Sequence, residues 1–299
     1  MKYICNPINL EYKYQFFKTN PEDNNMCEIH REAADPTIVL FNDHFYMFPS
    51  MSAGFYTSTD LCAWMHHSYG PEIPVYDYAP DVCVIGEYLY FSASKANENC
   101  SFYRTKNPLT DSFEEIEGQF PFWDPHLFLD DDGRLFFYWG CSNMEPIYGV
   151  ELNPKTMEII GEKTIIVQAD TKNIGFERTG EDHVPAKSDE EVKAMVEAMI
   201  LNAPEGTVVD DNLKRQLYGW FGNNPYVEGA WMTKYKGKYY FQFATPGTEY
   251  NTYGDGVYIG DSPLGPFKLA KNNPFSYKKS FHKWSFKTNF VAEFLYFVY

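Results

Sequence analysis

The sequence predicts an all-β chain built from repeated blades, a β-propeller, and three observations carry that reading. The 299 residues include 25 Phe, 24 Tyr and 6 Trp, and side chains of this kind suit a pleated sheet surface. A motif recurs four times, each time as an opening with Pro or an acid, an apolar run, a turn of Asn, Asp or Gly, and a second run full of Tyr and Phe. The spacing of the motif is that of a four-stranded blade: 46 residues separate Asp35 from Asp81 and 43 separate Asp81 from Asp124.

Each copy reads as a β-hairpin, because Asn, Asp and Gly tolerate the positive φ that tight turns demand. The first runs through residues 34–41, turns at Asn42-Asp43 and returns through residues 44–48. The second runs through 79–85, turns at Gly86-Glu87 and returns through 88–91. The third, 123–129, turns across Asp130 to Gly133, and the fourth, 227–233, turns before Lys238. Further strand pairs follow the hairpins, for example after Gly54 and after Gly256. Asp130-Asp131-Asp132-Gly133 looks like part of a calcium loop, but the downstream Glu is missing and the segment is a hairpin turn.

Between the third and fourth copies the period breaks. Asp124 to Glu228 spans 104 residues, about 60 more than one blade. Ser188-Asp189-Glu190-Glu191 is a capping box, and Val192, Met195, Val196, Met199 and Ile200 lie on one helical face. A weaker second helix is expected over 211–218. The insertion, about residues 185–221, is expected to decorate the propeller's flank and bury its Met-rich stripe there, a lid over the active face being the alternative. The whole chain, 1–299, reads as one domain, with an atypical tail over about 278–299 that lacks hairpin signals.

Composition narrows the function. At 44% hydrophobic the chain builds a core, and a net charge of −16 with no basic stripe excludes a nucleic-acid partner. No membrane-length apolar run and no signal peptide are visible, which favours a cytoplasmic location. Cys5, Cys27, Cys62, Cys83, Cys100 and Cys141 contain no Cys-x-x-Cys pair, so free thiols are expected and a metal site is not.

In a propeller the innermost strand of each blade starts at the axis, so Asp35, Asp81, Asp124 and Glu228 are read as four carboxylates at equivalent places facing one pocket. Any one Asp-Pro is an ordinary turn starter. Four acids in register carry a repulsive cost that a ligand, a cation or catalysis would offset. Glycoside hydrolysis needs such a set: one protonated acid for the leaving oxygen and one ionised base for water. Groups about 6.5–9.5 Å apart leave room for that water and give inversion. A third acid nearby favours the protonated form of the first.

Ala34-Asp35-Pro36, Ala79-Pro80-Asp81-Val82, Trp123-Asp124-Pro125-His126-Leu127-Phe128 with Asp131-Asp132-Gly133-Arg134, and Glu228-Gly229-Ala230-Trp231-Met232 together resemble glycoside hydrolase family 43, the β-xylosidases and α-L-arabinofuranosidases. The similarity extends over about residues 33–275. The resemblance implies a five-bladed propeller, here with an incomplete last blade, and an inverting enzyme acting on xylosyl or arabinofuranosyl linkages of hemicellulose-type oligosaccharides or polysaccharides. It implies Asp35 as general base, Asp124 as modulator and orienter, and Glu228 as general acid, with Asp81 at most a wall of the pocket. No cofactor is required, although the family pattern allows a structural calcium on the propeller axis. The family's fifth-blade Gly-His-Gly strand has no counterpart, and His282 replaces its axial His poorly.

Phe48, Trp123 and Trp231 are candidates for stacking on a sugar ring, against core packing as the alternative. Arg178 is a candidate for sugar hydroxyls, and Glu177-Arg178 otherwise reads as a surface ion pair. His126 is a candidate for holding Asp124. A non-catalytic carbohydrate-binding propeller, an inactive truncated hydrolase and an interaction scaffold are the competing readings.

Overall fold

The computed structural model describes residues 10, 16–18, 27–29, 34–73, 79–95, 98–170, 174, 177, 187–247 and 253–277. Two short strands, β1 (Phe16–Lys18) and β2 (Cys27–Ile29), pair with each other. Then come four antiparallel sheets, three of four strands and a last one of five, each with four strands in chain order. The first holds β3 (Ala34–Phe41), β4 (His44–Ser50), β5 (Gly54–Ser58) and β6 (Met65–Ser68). The second holds β7 (Asp81–Ile85), β8 (Tyr88–Ser92), β9 (Phe102–Thr105) and β10 (Glu114–Ile116). The third holds β11 (His126–Leu129), β12 (Leu135–Trp139), β13 (Ile147–Leu152) and β14 (Ile159–Val167). After α1 (Asp189–Leu201) and α2 (Asp211–Phe221), the fourth holds β15 (Glu228–Tyr235), β16 (Lys238–Thr245), β17 (Gly254–Gly260) and β18 (Phe267–Leu269), with β19 (Ser276–Tyr277) on the start of β17.

The expected turns make the hairpins. Asn42 and Asp43 take φ 46° and 63°, Lys236 and Gly237 take 49° and 74°, the paired positive values of a twist-compatible two-residue turn. Opening strands pack side by side, β3 on β7, β7 on β11 and β11 on β15, so they line the centre. Among the described residues there are four blades, which corrects the expectation of five. The physical reason lies in the hairpin count: four turn-closed openings nucleate four sheets. The tail at 278–299, with His282, lies outside the described residues.

The core is a set of layers between blades. Phe48, Phe55, Phe91 and Tyr103 fill the layer between the first two blades. Phe102, Phe122, Leu127 and Phe137 fill the next, and Phe136, Tyr138, Met232, Phe241 and Phe243 the third. Along β12 alternate side chains enter opposite layers, Phe136 and Tyr138 on one side and Leu135 and Phe137 on the other, all fully buried. This explains why the second strand of a blade reads as an unbroken aromatic run and not as an alternation with polar residues. Burying each such ring stabilises the sheet pair by about 1.5–3 kcal/mol.

Polar fasteners join the same blades. Tyr239 of β16 donates to Asp130 Oδ2 at 2.5 Å, and Lys234 pairs with the same carboxylate, tying the β11–β12 turn to the fourth blade; burial pushes Asp130 upward, but Lys234 and then Tyr239 outweigh it and hold the carboxyl below its usual range. Backbone bonds within residues 130–134 confirm the hairpin turn. Glu177 is fully buried, accepting from Asp170 N–H and from Tyr258 of β17. Glu177 is therefore not at the surface, and burial pushes its carboxyl up to about 7. Cys83 and Cys141 are thiols outside any disulfide.

The helices form as their caps direct. Ser188 and Glu191 complete the capping box of α1, and Asp210 accepts from Leu213 N–H to start α2. Of the apolar stripe, Val192 and Val196 are buried while Met195 and Met199 stand exposed. The expected burial of the Met stripe is therefore not found. Among the described residues no helix is long and apolar enough to cross a membrane.

Candidate active site

The site grows out of how each opening strand begins. Asp35, Ala79 and Asp124 all precede a proline and take φ 51°, 47° and 48°; in the fourth blade Gly229 takes 67°. Each stands two residues before the first inward position of its strand, Thr37, Asp81, His126 and Trp231, which pair with Phe48, Ser92, Tyr138 and Gln242. The left-handed residue swings the chain into the blade and costs a non-glycine residue about 1–2 kcal/mol. Asp pays least of that because its short side chain can bond locally.

This register corrects the assumption of four equivalent acids. Asp35 and Asp124 are equivalent, Ala79 is their counterpart in the second blade, and Glu228 precedes its blade's left-handed residue by one. Asp81 lies two residues further in, 1% exposed, where its Oδ2 accepts from Leu127 N–H at 2.7 Å and its Oδ1 faces His126 Nδ1 at 3.3 Å. Its oxygens are consumed in fastening the second blade to the third, so it is no wall of a pocket.

The other three acids converge. Ser50 Oγ donates to Asp35 Oδ2 at 3.1 Å and accepts from Ala79 N–H at 2.6 Å, anchoring Asp35 against the next blade. Asp124 Oδ2 accepts from Gly229 N–H at 2.8 Å, which pins the backbone beside Glu228. Cys141 Sγ donates to Glu228 Oε2 at 3.1 Å. All three acids are half-buried. Burial first, then Asp124, Glu228 and Asp35, drives the Cys141 thiol upward, and burial with the same three acids drives the Tyr253 phenol upward. Both neutral donors are thus kept protonated inside one field of three carboxylates, and Tyr253 also bonds Glu228.

Of the remaining candidates, Phe48 is fully buried and stacked on Phe55 at 5.0 Å between centroids, so it presents no face to a sugar. His126, 4% exposed, is engaged with Asp81 and not with Asp124. Trp231 is half-buried with one face on His126 at 4.2 Å, and Trp123 is half-buried beside Asp124. Arg178 lies outside the described residues. Ser50, Cys141 and Tyr253 escaped the sequence reading. Ser50 was within reach of it, because pairing counted from the Asn42-Asp43 turn sets residue 50 opposite the Asp35 opening.

One oxygen each of Asp124 and Glu228 and the Cys141 sulfur lie within 4.8 Å of one another. Two carboxylates and a thiol do not suit calcium, which takes six to eight oxygens, so this group does not fit the calcium that the family pattern allows.

Residues 29–184 match the profile of glycosyl hydrolases family 43. The chain is 27% identical over 172 residues to a beta-xylosidase of Xylanibacter ruminicola, covering 55% of this chain and 44% of that protein's length. It is also 27% identical over 277 residues to xylosidase/arabinosidase 43A of Humicola insolens, covering 78% and 77%. A thermostable family-43 glycoside hydrolase of known structure superimposes with a TM-score of 0.56 at 19% identity, over 83% of this chain and 74% of that one, a likeness of fold.

Proposed function

The chain belongs to glycosyl hydrolase family 43, and from that premise we propose that it hydrolyses xylosyl or arabinofuranosyl linkages of hemicellulose-type glycans with inversion at the anomeric carbon. One observation carries the reading: acids from different blades stand together, one oxygen each of Asp124 and Glu228 lying within 4.8 Å of each other and of the Cys141 sulfur, with Asp35 near enough to act on the same thiol.

In this reading Asp35, held by Ser50, takes a proton from water as that water attacks the anomeric carbon. Glu228 gives its proton to the departing glycosidic oxygen. Asp124 holds the Gly229 N–H so that the Glu228 backbone cannot drift, and its negative charge favours the protonated form of its neighbour. Charge balances: one proton leaves water, another reaches the leaving group, and both carboxyl groups exchange states. Trp123 and Trp231 border the sugar site. The reaction needs no metal or other cofactor, and the partner is a neutral oligosaccharide or polysaccharide, in keeping with a net charge of −16.

The test is hydrolysis of aryl β-xyloside, α-arabinofuranoside and β-galactofuranoside, with proton NMR reading the first-formed anomer. Turnover of one of them with the inverted product is expected. Retention of configuration would overturn the mechanism, and sugar binding without turnover on all three would turn the reading to a carbohydrate-binding propeller.

A further inference from the structure

Antiparallel blades send the chain back to the same face at every second connection. The opening strands begin at the cluster of Asp35, Asp124 and Glu228, so the β12–β13 loop and the β14–β15 connection both lie on that face. The helical insertion is the β14–β15 connection, which puts it on the face where the acids gather.

Its fixing is specific. At its base Lys187 N–H donates to Asn223 Oδ1 and Asn223 Nδ2 donates to Lys187 O, both at 2.9 Å, closing the hairpin like a clasp. At the end of α2, Asn143 Nδ2 donates to Gly219 O at 2.9 Å. Gly219 sits flush on Met144, whose sulfur would be 2.2 Å from a Cβ at that position. Asn143 and Met144 follow Cys141, the donor to Glu228, and Ser142 bridges Val227. The C-terminal turn of α2 is thus moored to the loop that touches the proposed acid.

On that turn stands Trp220, 59% exposed, its ring backed by Phe221 at 5.9 Å and nearly parallel at 8°. An indole left in water on a clamped support, eight residues before Glu228, gains nothing for folding. A flat apolar face with a polar edge suits the C–H face of a neutral sugar. In the mechanism proposed above Glu228 serves the leaving group, and the loop that carries its partner Cys141 is the one that moors α2.

We propose that Trp220 is a stacking platform for the sugar beyond the scissile bond, so that the helical insertion makes this chain selective for oligosaccharides over short glycosides. The proposal rests on the hydrolase reading above. Remote binding energy of this kind is expressed in kcat/KM.

The experiment compares Trp220→Ala and Trp220→Phe with the parent chain on an aryl monoglycoside and on xylo- or arabino-oligosaccharides of two to six units. Trp220→Ala is expected to lose about tenfold more kcat/KM on the longer oligosaccharides than on the aryl glycoside, with Trp220→Phe recovering most of it. An equal change on both substrates, or none, overturns the platform. If the parent chain hydrolyses nothing, the hydrolase reading fails separately, and titration of tryptophan fluorescence with xylohexaose decides the platform: saturable quenching absent from Trp220→Ala supports it, and no quenching in the parent overturns it.

Discussion

Two sets of buried carboxylates divide this molecule. Asp35, Asp124 and Glu228 are half-buried where the opening strands begin, with donors arranged around them. Asp81, Asp130 and Glu177 sit deep between blades, each joined to groups on a neighbouring segment. Asp81 and Asp124 open adjacent copies of one repeat, yet a displacement of two residues along the strand turns one into a fastener and leaves the other beside Glu228. Position relative to the left-handed residue decides between them, because that residue marks where the chain leaves the acid cluster and enters the sheet.

The largest effect that sharpens this contrast is expected at Glu228. Glu228→Gln keeps the Cys141 contact and removes the proton, so turnover of a substrate with a poor leaving group should fall by about 10² to 10⁴-fold with little change in melting temperature. A drop of less than about tenfold would move Glu228 out of the acid's role.

Asp81→Ala should do the reverse. Leaving Leu127 N–H and His126 Nδ1 buried without their acceptor should cost about 1–3 kcal/mol for each group, read from the urea midpoint, while turnover per folded molecule stays near that of the parent. Loss of activity without loss of stability would return Asp81 to the pocket.

Glu177 gives the fastening set a pH signature. Its folded pKa of about 7 lies above its ordinary 4.5, so the folded state holds the proton more tightly than the unfolded chain does. The stability it contributes is whole below pH 4.5 and is lost as pH rises through 7, about 3 kcal/mol in all. Denaturation of the parent and of Glu177→Gln across pH 5 to 8 should show the parent weakening relative to the variant; parallel profiles would place that proton elsewhere.

The smallest effect concerns the backbone itself. Ala79 holds φ 47° without the local bonds an Asp can make, so Ala79→Gly should stabilise the chain by about 1 kcal/mol, seen as a higher melting temperature. Destabilisation would mean that its methyl group packs more favourably than its backbone is strained.

What the sequence determined by itself was local: the hairpins, whose turns must hold Asn, Asp or Gly; the start of α1, written in Ser188 and Glu191; and the acids that open the blades. Even the true register of the second copy was present, since Ala79, and not Asp81, stands as far from its turn as Asp35 does from its own. Only the tertiary structure decided which side chains meet. Asp81 finds Leu127 across 46 residues, Cys141 finds Glu228 across 87, and Asp124 finds Gly229 across 105. Phe48 in the core and the exposed Trp220 are both aromatic residues in the sequence, and they differ in what the folded chain lays against them. Turn and cap chemistry acts over a few bonds and leaves its mark in neighbouring residues, whereas burial and carboxylate pairing depend on distances that exist only after the blades have stacked.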